Sequence, residues 1–252
     1  MPDRIFRIFK VSPSLGSHDM ILRTLKGTAR LQLTLALALC GLFALVSSAA
    51  AVVYVYKNGF GSLAAYNEVD QISGGNNCDS SYSSGSKAMR IEMRGRTFCE
   101  YSPPVTGDAD QPDHEIVAEG RILPSTPDNV KKQSYLGVRV RVGEGTYYEF
   151  RVTPKEKAYR LNRVPSGGGA GLPVTGNANA IKPVGEKNKL RLRITGNDVT
   201  AFVNGNPVAT YNDPNPGQVT GRKVSLGIGS TKKTNPGPIG VFTALKVGVP
   251  NP

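Results

Sequence analysis

Between Lys189 and Tyr211 apolar and polar residues alternate in three short runs separated by two turn dipeptides. Leu190, Leu192 and Ile194 alternate with Lys189, Arg191 and Arg193, so one face of this run is apolar and the other cationic. Gly196-Asn197 and Asn204-Gly205 supply residues that accept φ > 0, which tight hairpin turns require. The same pattern predicts strands over Ala88–Met93, Thr97–Tyr101, Glu115–Ile122, Ser134–Val142, Thr146–Thr153 and Lys157–Val164. Further strands are predicted over Leu190–Thr195, Val199–Val203, Pro207–Tyr211, Arg222–Gly229 and Gly240–Val247. Gly or Pro stands in nearly every gap, the punctuation of an all-β sandwich or barrel. Gln71–Ser86, Pro103–Asp113 and Pro165–Pro183 read as loops. Gly167-Gly168-Gly169 lacks the following Lys-Ser/Thr of a phosphate-binding loop.

One stretch breaks the alternation. Leu31 to Tyr56 carries no charged residue, and about 20 apolar residues suffice to cross a bilayer as a helix. Arg23, Lys26 and Arg30 precede it and Arg4, Arg7 and Lys10 lie further upstream, which predicts a cytoplasmic N-terminus and an exported C-terminal domain. Tyr54 and Tyr56 fall where an interfacial aromatic belt is expected. The alternative is a cleaved signal peptide, with Ser48-Ala49-Ala50-Ala51 as a small-residue site and Met20 as a second candidate start. The expected organisation is a basic cytoplasmic tail over 1–30, a transmembrane helix or signal peptide over 31–56 and an extracellular β-sandwich over 57–252, cell-membrane anchored or secreted.

Composition narrows the chemistry. The net charge is +12, from 31 Lys and Arg against 19 Asp and Glu, yet the cations are scattered through strands rather than clustered. With no helix-turn-helix, RNP or zinc-finger pattern, nucleic acid is excluded as the expected partner. Of three cysteines, Cys40 lies in the uncharged run; Cys78 and Cys99 are read as a disulfide of an exported domain, against two free thiols or a metal site. His114 stands alone in the exported part and no Gly-x-Ser-x-Gly elbow occurs, so a serine-hydrolase triad is not expected.

Several segments together resemble the concanavalin A-like lectin/glucanase jelly roll. They are Leu190-Arg-Leu-Arg-Ile194, Val199-Thr-Ala-Phe-Val-Asn-Gly205, Gly221-Arg-Lys-Val-Ser-Leu-Gly-Ile-Gly229 and Val241-Phe-Thr-Ala-Leu-Lys-Val247. More narrowly, about Gly61 to Val247 resembles the laminin-G-like and 3-keto-disaccharide-hydrolase-like ectodomains of bacterial membrane proteins. Tyr135-Leu-Gly-Val-Arg-Val-Arg-Val142 and Tyr147-Tyr-Glu-Phe-Arg-Val152 are similar to that family's paired central strands, where a ligand-facing sheet is usual. The resemblance implies a two-sheet antiparallel jelly-roll sandwich that binds glycan or an anionic cell-envelope polymer without catalysis. The alternatives are a glycan-processing hydrolase of the same superfamily and a structural or protein-interaction ectodomain.

The glucanase relatives carry Glu, Asp and Glu on one strand face. Here Glu115 and Glu119 keep the alternation but Val117 stands in the middle, so they read as exposed strand glutamates. Asp108, Asp110 and Asp113 are a weak oxygen-donor candidate for Ca²⁺, as in some laminin-G-like domains; no other cofactor is expected. The candidate ligand contacts are Arg139, Arg141, Tyr147, Glu149, Arg151, Arg191 and Arg193, on the expectation that these strands become neighbours and assemble one cationic-aromatic surface.

Overall fold

The computed structural model describes residues 52–95, 98–104, 113–166, 171 and 174–250. Among these, β1 covers Val52–Asn58, β2 Asp70–Ser73, β3 Cys78–Ser83, β4 Ala88–Met93 and β5 Phe98–Ser102. The middle of the chain gives β6 at Glu115–Ile122, β7 at Ser134–Val142, β8 at Tyr147–Thr153, β9 at Ala158–Val164 and β10 at Val174–Asn177. The last five are β11 Asn188–Thr195, β12 Asp198–Val203, β13 Asn206–Asn212, β14 Lys223–Ser230 and β15 Ile239–Pro250.

They form two antiparallel sheets of a jelly-roll-like sandwich. One runs β13-β12-β11-β6-β15-β4-β3, with β1 also on β15; the other runs β10-β9-β8-β7-β14-β5-β2. Leu190, Leu192 and Ile194 are fully buried between the sheets with Leu136, Val138, Val140 and Phe150, as alternation predicts. Burying such side chains stabilises the fold by roughly 1.5–3 kcal/mol each. The two turns of the diagnostic segment have the required backbone: φ is +57° at Gly196, +50° at Asn204 and +88° at Gly205.

Three strands appear where loops are predicted. β3 lies inside Gln71–Ser86, β2 overlaps its start, and β10 lies inside Pro165–Pro183. All three are sheet edges. An edge strand covers little core and needs no apolar alternation, so Cys-Asp-Ser-Ser-Tyr-Ser and Val-Thr-Gly-Asn give no period to read.

A fourth difference concerns the uncharged run. Val52 to Tyr56, assigned by sequence to the end of a transmembrane helix, lies in β1, hydrogen-bonded to β15 from Val52↔Pro250 to Asn58↔Leu245. The sandwich therefore begins at Val52 rather than 57. Tyr54 and Tyr56 belong to it: the Tyr54 hydroxyl donates to Glu115 Oε1 at 2.8 Å, and Tyr56 packs on the core. Leu31–Ala51 lies outside the described residues. Among those that are described, no helix is long and apolar enough to cross a membrane.

Cys78 in β3 and Cys99 in β5 form a disulfide, joining an edge of one sheet to the other sheet, with Cα atoms 5.7 Å apart.

Candidate functional site

The strand register of the second sheet builds two side-chain rows on its outward face. Ser225, Arg139, Glu149 and Asn162 stand directly opposite one another across β14, β7, β8 and β9. The next row is Glu100, Gly227, Gly137, Arg151, Arg160 and Thr175, from β5 to β10.

Arg139 is the centre of the first row. Its guanidinium donates to Glu100 Oε2 at 2.8 Å and to Glu149 Oε1 at 2.9 and 3.1 Å. Glu100 also accepts from the Ser225 hydroxyl, and Glu149 accepts from Asn162 Nδ2 at 2.8 Å. Both glutamates are buried although they face outward, at 4% and 3% exposure. Burial alone opposes the Arg139 charge, but Glu149 and Glu100 outweigh it and hold the guanidinium above its ordinary pKa.

An aromatic layer covers this charge row. The Arg139 guanidinium carbon lies 4.1 Å from the Phe98 ring centre and 4.0 Å from that of Tyr147, so the cation is held between two rings. Phe98 stacks on Tyr135 at 5.8 Å, and Arg151 lies 4.7 Å over Tyr135. Burial pushes the Tyr135 phenol up to about 12, so it stays a neutral donor at physiological pH. Gly227 makes room for the layer: a Cβ there meets Phe98 Cζ at 2.8 Å and the Cys99 carbonyl oxygen at 2.1 Å.

Beyond the layer the second row opens into a cleft of about 380 Å³. Arg151, Arg160, Thr175 and Asn177 line it together with Tyr159 and Thr231. Its walls thus offer planar donors, hydroxyls and one amide on a rigid sheet.

Four of the candidate residues come together here: Arg139, Tyr147, Glu149 and Arg151. The other three do not join them. Arg191 and Arg193 lie on β11 in the opposite sheet. There Arg193 Nε donates to Glu115 Oε2 at 2.6 Å, Arg191 is 4.0 Å from the same carboxylate, and Arg191 covers the Phe202 ring at 3.5 Å. The two sheets pack face to face, so their outward faces cannot share a surface. Glu115 is accordingly not an exposed strand glutamate but 1% exposed and paired; Glu119 is partly exposed and accepts from Lys187 and Thr243.

Arg141 leaves the row for a different reason. The register of β7 against β14 shifts between Lys223 and Ser225, and Arg141 has φ +50°. Such a bulge breaks the two-residue alternation and re-aims the side chain. Arg141 lies 3.5 Å from Asp113 Oδ1 and from the Gly196 and Pro216 carbonyls, at one end of the sandwich.

Of the calcium candidates, Asp108 and Asp110 lie outside the described residues. Asp113 accepts the Gly196 N–H at 2.9 Å. Among the described residues no group of three or more His, Cys, Asp and Glu is placed to hold a metal ion.

Glu100, Asn162, Arg160 and Thr175 were missed from sequence. Arg160 and Asn162 alternate in step with Glu149 and Arg151 on the next strand, a signal readable once the hairpin register is fixed. Glu100 gives none, since its partner Ser225 is 125 positions away.

A family model described as the 3-keto-alpha-glucoside-1,2-lyase-like domain matches residues 106–244, more than half the chain. The chain belongs to that family. The match takes in β6 to β14 and part of β15; Glu100 and the disulfide lie upstream of it. No curated protein matches the chain. Among solved structures, the laminarinase catalytic domain from Thermotoga maritima MSB8 is 11% identical with a TM-score of 0.54, covering 80% of this chain and 99% of its own. Bacillus licheniformis beta-glucanase is 13% identical, TM-score 0.53, covering 76% and 96%. The CBM2 module of the evolved Dit of Lactobacillus casei BL23 phage J-1 is 9% identical, TM-score 0.53, covering 80% and 97%. These likenesses establish the fold.

Proposed function

We propose that the sandwich is a glycan- or cell-envelope-polymer-binding module without catalysis, held at the outer face of a membrane by Leu31–Ala51. The observation that carries the binding reading is the cleft on the outward face of the second sheet, whose walls combine Arg151 and Arg160 with Thr175 and Asn177. Hydroxyls and amides match sugar hydroxyls, forked guanidinium groups match acidic substituents, and Tyr159 offers an apolar flank. The carboxylates nearest the cleft argue against proton transfer. Glu100 and Glu149 share Arg139 and each accepts a second donor, so neither presents a base in reach of a substrate proton.

The test is equilibrium binding of the full chain to a panel of neutral and anionic polysaccharides, at low and at physiological salt. An anionic polymer is expected to bind, more weakly as salt rises because contacts to the partly exposed Arg151 and Arg160 are screened. Arg160→Gln, which changes the cleft and leaves the Arg139 bonds to Glu100 and Glu149 in place, is expected to weaken it about tenfold, the effect of losing one charged hydrogen bond. No binding across the panel removes this reading.

The family match favours a second reading, lyase chemistry on a 3-keto-alpha-glucoside. Product formed from such a substrate by the full chain, and lost in Glu149→Gln, would replace binding by processing.

A further inference from the structure

The outward face of the first sheet is cationic where β1 joins it. One side-chain row runs Lys57, Lys246, Val117, Arg191 and Phe202 across β1, β15, β6, β11 and β12. The next runs Tyr54, Gly248, Glu115, Arg193 and Thr200 across the same strands. Glu115, the one carboxylate of these rows, is taken up by Arg193, Arg191 and the Tyr54 hydroxyl. Lys57 and Lys246 are both exposed, and among the described residues neither has a carboxylate partner. They stand directly opposite one another on adjacent strands, an arrangement in which like charges repel. The pair therefore lacks a counter-ion within the described fold.

Tyr54 holds the two lysines in place. Its side chain packs over Gly248, where a Cβ would meet Val52 Cγ1 at 2.3 Å and Tyr54 Cδ1 at 3.3 Å. Its hydroxyl is tied to Glu115, and the Lys57 and Lys246 ammonium groups lie 5.7 and 5.6 Å from its ring centre. Such ring contacts leave the ammonium N–H groups able to donate to an anion. The place of β1 in the chain indicates where that anion is. Val52 is already in the ladder opposite Pro250, so no linker separates the sandwich from the uncharged run that ends at Ala51. A tether over 31–51 that spans as a helix rises about 31 Å, the thickness of a hydrocarbon core, and delivers β1 into the headgroup layer. Val53 and Val55 are 50% and 40% exposed there, and Tyr with Lys is the pairing that anchors a membrane interface.

We propose that the β1–β15 corner of the first sheet docks on the bilayer, with Lys57 and Lys246 on the phosphates of anionic phospholipid headgroups. The sandwich then lies with this face toward the membrane. The cleft, on the outward face of the other sheet, is turned away from it, where a polymer can reach. The orientation rests on the tether proposed above, and the test reads tether and docking separately.

The full chain is reconstituted with vesicles of phosphatidylcholine, or of phosphatidylcholine and phosphatidylglycerol in equal parts, and treated with a membrane-impermeant amine reagent. Flotation reads the tether; modification rates at single lysines, by mass spectrometry, read the docking. Lys57 and Lys246 are expected to react about fivefold more slowly with the anionic vesicles than with the neutral ones, the factor for one lysine at an anionic surface. Lys155 and Lys157, in the β8–β9 turn of the opposite sheet, should react alike with both. High salt should remove the difference. Lys57→Gln, at an exposed position, should keep the melting temperature and weaken the protection of Lys246, whereas Arg160→Gln should leave that protection unchanged. Equal rates at Lys57 and Lys246 in a chain that floats with both vesicles overturn the docking and leave the tether standing. Flotation and protection with the anionic vesicles alone support the docking and remove the tether; flotation with neither overturns both. Protection by a soluble anionic polysaccharide and not by anionic lipid assigns the face to a polymer and overturns the proposal.

Discussion

Arg139 and Arg141 are two residues apart, and the alternation of a regular strand puts them on one face. The bulge in β7 opposite Lys223 and Ser225, with φ +50° at Arg141, separates them. Arg139 then becomes the centre of a buried charge row, and Arg141 a partner of Asp113 at one end of the sandwich. The row yields a sharp expectation. Removing one partner of a buried ion pair leaves uncompensated charge and costs roughly 3–5 kcal/mol, so Arg139→Met is expected to destabilise by that amount in urea unfolding. Combining it with Glu100→Gln and Glu149→Gln should recover most of the loss, because the orphaned acids are then neutral. A cost of Arg139→Met under about 1 kcal/mol, in the range of surface pairs, would mean the row is solvated. Sequence alone nominates Arg139, Tyr147, Glu149 and Arg151 correctly as neighbours, since they lie on one hairpin. It misjudges Arg191, Arg193 and Arg141, since neither sheet membership nor a bulge is encoded in period-two patterning.

At the scale of elements, legibility follows burial. The pattern predicts β6 and β7 with their observed ends, and both are central strands with a face in the core. It does not predict β2, β3 and β10, and all are edges. The chain compensates at one of these edges covalently. β3 carries little apolar surface, but Cys78 ties it to Cys99 in β5 of the other sheet. With the cysteines 21 positions apart in sequence, closing that loop in the unfolded chain stabilises the fold by about 3 kcal/mol. Cys78→Ser with Cys99→Ser is expected to lower unfolding free energy by that amount, and reduction of the native chain to have the same effect. Unchanged denaturation midpoints after reduction would show that β3 holds its edge by ladder bonds alone. β1 escapes recognition by the opposite route, because its residues continue an apolar run long enough for a helix.

That overlap matters for the whole molecule. Six basic and two acidic residues precede Leu31, an uncharged stretch runs from there to Ala51, and β1 begins at the next residue. The stretch that remains after β1 is subtracted is still long enough for a bilayer core. The small residues Ser48 to Ala51 lie just upstream of β1, so cleavage there leaves every ladder bond of β1 to β15 in place. Anchoring and cleavage therefore give the same folded domain and differ only in its tether. The basic flank and the charge-free length favour the tether, with the N-terminus inside. The expected outcome in cells is an uncleaved chain that stays in the membrane pellet after alkaline carbonate extraction. Replacing Leu39 and Leu42 by Arg adds about 2.5–3.5 kcal/mol of insertion cost at each position and should release it. Recovery from wild-type cells of a soluble chain that begins at Ala50, Ala51 or Val52, by intact mass, would establish cleavage instead. In that case the domain acts as a secreted protein carrying eight net positive charges, the +12 of the chain less the four contributed by its N-terminal tail. With that charge, any attachment to an anionic polymer is expected to weaken as salt rises.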